Sequence, residues 1–305
     1  MDFTDLFFMT IYDQIASNKI RTFVIIGLFI VIVSGFFFLI GKFFDSPVTY
    51  FAFGFIFTLL SSIGSYFYSD RIVLFTTGAK PANKRDYFDL YTVTENLAMA
   101  TGIPMPKLYV IDDPAPNAFA TGRNPKHAVV AATTGLVEKL DRTELEGVIA
   151  HELSHVKNYD ILVSSMVAVL VGTVALVSDR IMRSLWWGGF RKDDDRNSRN
   201  PFMMIFLIVV LVITPIIATL IQLAVSRRRE FLADASGVLL TRYPEGLARA
   251  LEKISGDRNV LQTATNSTAH LFIANPFRKA KGSWLMNLFS THPPAEERIR
   301  ILRSM

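Results

Sequence analysis

The stretch Asp141-Arg142-Thr143-Glu144-Leu145-Glu146-Gly147-Val148-Ile149-Ala150-His151-Glu152-Leu153-Ser154-His155, with the apolar run Ile161–Ser178 close behind it, decides how this chain is read. Asp141 with Glu144 three residues on has the form of a capping box, which starts a helix. Apolar Leu145, Val148, Ile149 and Leu153 then recur at helical spacing and mark its buried side. Inside that helix His151 and His155 are four residues apart, so both imidazoles lie on one face and can reach a single zinc ion. Glu152 projects beside such an ion. There a carboxylate can take a proton from a metal-activated water and later return it to a leaving amine.

A catalytic zinc needs three protein ligands and one open position. The remaining histidines are His127, His270 and His292. A better third ligand is Glu230, in Arg229-Glu230-Phe231-Leu232-Ala233-Asp234, just after a long apolar run. Asp234 is one helical turn later on the same face. It can accept the free ring N–H of a ligating histidine and hold its tautomer. His127 and His270 read as packing or surface residues. His292 suits either a donor to a developing oxyanion or a turn before two prolines. Asn117 suits either a substrate backbone or a turn after Pro116.

Outward from this centre the chain divides into two materials. Four windows contain no charged residue: Thr22–Gly41 (20 residues), Ser46–Ser69 (24), Ile161–Ser178 (18) and Asn200–Ser226 (27). A bilayer-spanning helix takes about 20 apolar residues. The windows therefore predict four spans in two hairpins, the first closed tightly by Lys42–Asp45 and the last kinked at Pro215. Ile161–Ser178, the shortest, also fits a buried core helix. His155 lies six residues before Ile161, which places the metal close to the membrane surface if the helix is continuous. The acidic leader before Thr22 and the lack of a small-residue cleavage site argue against a signal peptide. The Lys/Arg distribution puts both termini in the cytoplasm, with Arg180–Arg199 working against it.

The composition gives 32 Lys+Arg against 27 Asp+Glu, a net charge of +5, in 305 residues, half of them hydrophobic. Disorder is excluded by that hydrophobicity. The absence of cysteine excludes disulfides and thiolate metal sites. Basic residues beside membrane spans explain the charge, and no basic–aromatic groove points to nucleic acid.

The water-exposed residues predict a helix at Tyr87–Thr101 ending at Gly102, strands at Lys107–Ile111, Asn117–Gly122 and His127–Ala132, and a short helix leading from Gly135–Leu140 into the histidine helix. Gly256–Lys281 reads as a polar loop or lid, and Ala295–Arg303 as a last helix. The organisation expected is a transmembrane hairpin (1–70), a first catalytic part (71–160), an inserted second hairpin (161–226) and a second catalytic part (227–305).

These motifs together resemble the HtpX-type membrane zinc metalloproteases, relatives of the CAAX prenyl endopeptidases. The resemblance runs through the paired spans, Asn117–Gly122, His151–His155, Glu230–Asp234 and Thr291-His292-Pro293-Pro294. It implies an integral membrane, mainly helical protein with an α+β zincin-like (gluzincin) catalytic unit and a small sheet. It implies one Zn2+ held by His151, His155 and Glu230, Glu152 as general base, Asp234 supporting a ligand from behind, and His292 close to the site. Asn117, Ala118, Phe119 and Ala120 would lie on an edge strand that pairs with extended substrate. The activity implied is bacterial inner-membrane quality control, cutting damaged or misassembled membrane proteins or unfolded polypeptides, alone, as a homo-oligomer or with other quality-control proteins. A catalytically idle membrane scaffold is the competing reading, and the intact Glu152 speaks against it. A transporter fits poorly, because the four apolar windows hold no Asp, Glu, Lys, Arg or His.

Overall fold

The computed structural model describes residues 11–43, 45–188, 227–265, 267–276 and 293–305. Helix α1 (Ile11–Phe43) and helix α2 (Pro47–Thr76) form the first hairpin. Both are long and apolar enough to cross a membrane. Close approach of the two is set by Gly54, where an added Cβ would meet the Phe37 side chain at 2.6–2.8 Å. The outer faces show Phe23, Val31, Phe53 and Leu60, the surface expected of lipid-facing helices. The buried face of α2 carries Gly54, Thr58, Ser62, Ser65 and Ser69, small residues that let neighbouring helices come near.

Helix α2 does not stop at Ser69. Its 30 residues span about 45 Å, longer than the roughly 30 Å hydrocarbon layer. The extra turns carry Val73 and Leu74 into a buried cluster with Ile111, Phe119, Val129 and Ala131. The hairpin is thereby joined to the water-exposed part by packing as well as by the chain.

That part is built on a four-stranded mixed sheet. In chain order the elements are β1 (Lys80–Pro81), α3 (Phe88–Thr101), β2 (Lys107–Ile111), β3 (Ala118–Thr121), β4 (Val129–Thr133), α4 (Thr134–Lys139) and α5 (Arg142–Lys157). The sheet order is β1-β2-β4-β3, with β2 and β4 parallel and the outer pairs antiparallel. Both faces of β3 and β4 are buried. Ala118, Ala120, Val130 and Ala132 pack toward α3 and α5, while Phe119, Val129 and Ala131 pack toward the end of α2. The expected strand at His127–Ala132 begins two residues late. Pro125–His127 forms a 3-10 turn instead, with the Asn124 side chain accepting from the His127 N–H.

Helix α6 (Asp160–Gly188) follows α5 directly, but the two are not one continuous helix. Arg142–Lys157 and Asp160–Leu176 meet at 85°, and Tyr159 at the corner has a left-handed φ of 62°. The start of the apolar run Ile161–Ser178 is enclosed by protein: Val163, Met166, Val167 and Leu170 are fully buried, and Val163, Val167 and Leu170 pack against Ile25 and Phe29 of α1. The helix emerges by Leu176, which is exposed. Among the described residues two helices qualify as spans on their own, and α5 with α6 only as a bent pair. The fourth expected span, Asn200–Ser226, lies outside the described residues.

Among the described residues three more helices belong to the unit: α7 (Arg227–Thr241), α8 (Pro244–Gly256) and α9 (Ala295–Leu302). Helix α5 runs through the centre, in contact with α3, β3, α7 and α8. Two glycines allow this. A Cβ on Gly147 would meet the Leu247 backbone at 2.7 Å, and one on Gly237 would meet the His151 backbone at 3.2 Å.

Candidate metal centre

The capping box forms as the sequence expects. Asp141 accepts from the Thr143 and Glu144 N–H groups, and Glu144 accepts from the Asp141 N–H at 2.8 Å. This starts α5 in the register that points His151 and His155 the same way. Helix α7 brings Glu230 opposite them. His151 Nε2 and His155 Nε2 are 3.2 Å apart, His151 Nε2 is 3.7 Å from Glu230 Oε2, and His155 Nε2 is 3.5 Å from Glu230 Oε1.

These spacings test whether a metal fits. Tetrahedral ligands about 2.0–2.1 Å from a zinc ion are about 3.3 Å from one another. Two imidazoles and a carboxylate, all within 4.8 Å, match that spacing and that donor set. His127 and His270 are elsewhere. His127 is exposed and bonded to Asn124, and His270 is buried with Nε2 3.0 Å from the Ser164 carbonyl oxygen. His292 lies outside the described residues.

Each histidine is held from behind. His151 Nδ1 is 2.9 Å from Asp234 Oδ1, and His155 Nδ1 is 3.0 Å from Asp160 Oδ2. A carboxylate can only accept here, so both Nδ1 atoms carry the proton and both Nε2 atoms face the centre. Asp234 is the partner the sequence suggests. No sequence pattern points to Asp160, because it lies beyond the helix break.

The second unforeseen residue is Arg298 on α9. It is buried and donates to both Asp234 oxygens, from Nε at 2.8 Å and from Nη2 at 2.6 Å. Its Nη1 donates to the Ile273 carbonyl at 3.1 Å. A signal for it did exist: Arg298 stands four residues before Leu302, on the buried stripe of a short amphipathic helix.

The electrostatics differ among the three groups on α5. Burial, with Arg298 alongside, pushes His151 down to about 4 and keeps it neutral. Burial pushes Glu152 up to about 7, with the Ala120 N–H donating to its carboxylate. For His155 burial works downward, but the Asp160 hydrogen bond and the charges of Glu230, Asp160 and Glu152 outweigh it and raise the group to about 9. In the metal-free protein His155 is thereby favoured in its doubly protonated form, beside the atoms that could hold a metal ion.

The strand expected to meet substrate, β3, is at the sheet edge, and part of that edge is already engaged. Ala118 O accepts from the Ile273 N–H at 2.9 Å. The Asn117 side chain grips a backbone, that of its own chain: Nδ2 donates to Ala274 O at 3.0 Å and Oδ1 accepts from the Ala274 N–H at 3.4 Å. Phe119 turns its ring away from the metal centre, edge-on to Phe272 at 5.1 Å. The Phe272–Ala274 end of Gly256–Lys281 thus packs along the edge strand, while its start is bonded to Asp113, Pro114 and Lys139.

Residues 85–305 match the family model described as peptidase family M48. The chain belongs to peptidase family M48. Its HtpX type is shown by relatives of nearly equal length. A protease HtpX homolog of Tropheryma whipplei (strain Twist) is 49% identical over 298 residues, covering 96% of this chain and 98% of that one. A protease HtpX homolog of Caldanaerobacter subterraneus subsp. tengcongensis is 43% identical over 300 residues, covering 97% and 98%. Among solved structures, the crystal structure of S. mikatae Ste24p is similar with a TM-score of 0.48 and 19% identity, over 95% of this chain and 67% of that one. The M48 match begins at residue 85 and takes in α5, α7 and α9, the helices that carry the histidines, Glu230 and Arg298.

Proposed function

We propose that this M48 chain is a zinc-dependent endopeptidase of the bacterial inner membrane. Its substrates are flexible, membrane-proximal cytoplasmic segments of damaged or misassembled membrane proteins. The observation that carries the reading is the tetrahedral spacing of His151, His155 and Glu230 with Glu152 beside them on the same helix. Zinc held by these three would supply Lewis acidity toward a peptide carbonyl.

The protein's own groups supply the rest. Glu152, raised toward neutrality by burial, takes a proton from the attacking water and passes it to the leaving amide nitrogen. Asp234 and Asp160 hold the two imidazoles with Nε2 inward. The edge at Asn117, Ala118, Phe119 and Ala120 receives an extended substrate once the Ile273–Ala274 segment gives way, and such backbone pairing demands little of the substrate's sequence. His292 completes the set as a donor to the developing oxyanion.

In this reading residues 1–70 anchor the chain, 71–160 and 227–305 form the catalytic unit, and 161–226 return to the membrane. Two features support membrane-proximal cutting: α2 runs from the hairpin into the core under β3, and α6 packs directly on α1. A segment tethered in the same membrane reaches such a site at raised effective concentration.

The test uses the purified full chain in detergent with an unfolded protein as substrate. Cleavage should stop with a chelator, return with zinc, and be lost together with metal in Glu230→Ala. A wild-type chain that holds zinc and cuts nothing would favour the scaffold reading.

A further inference from the structure

A buried side chain of the first membrane helix reaches the frame of the metal centre. Asn18 of α1 is buried, 140 residues and more before its partners. Its Nδ2 donates to the Asn158 carbonyl at 2.8 Å and to Asp160 Oδ1 at 2.8 Å. The other oxygen of Asp160 holds His155 Nδ1 at 3.0 Å. Arg229, next to Glu230 on α7, donates to Asp160 Oδ1 at 3.2 Å and to Asn18 Oδ1 at 3.4 Å.

Three elements from distant parts of the chain therefore meet at one carboxylate. The site also needs such a brace. The last carbonyls of α5 lose their helical partners where the chain turns by 85°, and Tyr159 at that corner has a backbone conformation costly for a non-glycine residue. Asn18 satisfies the carbonyl of Asn158, the residue that caps α5, and Lys19 lies 4.7 Å over the Tyr159 ring. A buried amide is costly unless its polar atoms are bonded, and this one is bonded on both sides to the frame of the site.

We propose that Asn18 is a positioning residue of the metal centre: it fixes Asp160, and through it the His155 imidazole, so that the N-terminal membrane helix is a working part of the site as well as an anchor. This rests on the metal-site reading above, and the experiment separates the two. The full chain is purified in detergent as wild type, Asn18→Ala, Asn18→Gln, Asp160→Asn and the double variant Asn18→Ala/Asp160→Asn. Ser34→Ala, a buried polar change elsewhere on α1, serves as control.

Zinc affinity is measured by chelator competition, the ligand geometry by the visible spectrum of the cobalt(II) form, and kcat and KM separately. Asn18→Ala should weaken zinc binding or kcat about 10-fold, as loss of a group behind a ligating histidine does. Its cobalt spectrum should shift while KM holds. The loss should shrink sharply in the Asp160→Asn background, because both changes break one chain of contacts. Asn18→Gln keeps the amide and should recover part of the affinity, which also covers poor folding of the alanine variant. Unchanged zinc affinity and spectrum in Asn18→Ala, or full additivity with Asp160→Asn, would overturn the proposal. Absence of zinc from the wild type would instead overturn the metal-site reading beneath it.

Discussion

Arg298 and Asp234, 64 residues apart, form a two-point ion pair with both side chains buried, and Asp234 Oδ1, which accepts from Arg298 Nη2, also holds the ring of His151. Burial would raise the Asp234 pKa, but Arg298 and His151 outweigh it and hold the carboxyl below its usual range. Breaking such a pair from one side leaves an uncompensated buried charge. Arg298→Ala should cost about 3–5 kcal/mol of stability, read as a lower midpoint in denaturant, and should release metal more readily. Arg298→Lys should recover little, because an ammonium cannot match the two-point geometry. Wild-type stability in the alanine variant would remove this pair from the account of the site.

Glu152 is separate from the ligand set, so binding and chemistry should come apart there. Glu152→Gln keeps size and loses the proton-carrying oxygen. Proteolysis should fall by on the order of 10²–10⁴-fold, while elemental analysis still finds about one zinc per chain. Near-normal cleavage by this variant would rule out Glu152 as the base.

Metal uptake should release a proton. The group raised above its ordinary value is His155, at about 9, so in the metal-free protein it stays protonated until the pH climbs past that value. A ligand must give up that proton, and affinity should therefore rise with pH up to about 9 and level off above it. At about pH 8, calorimetry in buffers of different ionisation enthalpy should count about one proton released per metal bound. A count of zero would mean that His155 is already neutral.

Asn117 holds the segment at Ile273–Ala274 against β3. Asn117→Ala should loosen that segment by about 1 kcal/mol for a lost hydrogen bond. Faster amide exchange at Ile273 and Ala274, with α5 amides unchanged, is the expected pattern. Equal exchange in both proteins would mean that Phe272 packing alone keeps the segment in place.

The parts of this site that could be read from the sequence are those written at short range. Capping, the four-residue spacing of His151 and His155, and the one-turn offset of Glu230 and Asp234 are properties of single helices, and helical geometry is the same in every fold. The two long apolar windows of the hairpin are legible for the same reason, since bilayer thickness sets their length. Even the third window held two meanings, a span or a core helix. Composition could not separate them, because lipid and a protein interior are both apolar.

What only the tertiary structure decided is how distant segments share polar atoms. Asp160 and Arg298 stand 5 and 147 residues from the histidines they serve, and the 85° corner at Tyr159 re-aims the chain between His155 and the apolar run that follows. Asn18 looks in the sequence like any polar residue leading into a membrane helix, yet it lies buried on Asp160. Nothing local marks these contacts. Each arises because a buried carboxylate or broken helix end must find a partner somewhere in the folded chain, and which residue supplies it depends on how α1, α5, α7 and α9 pack.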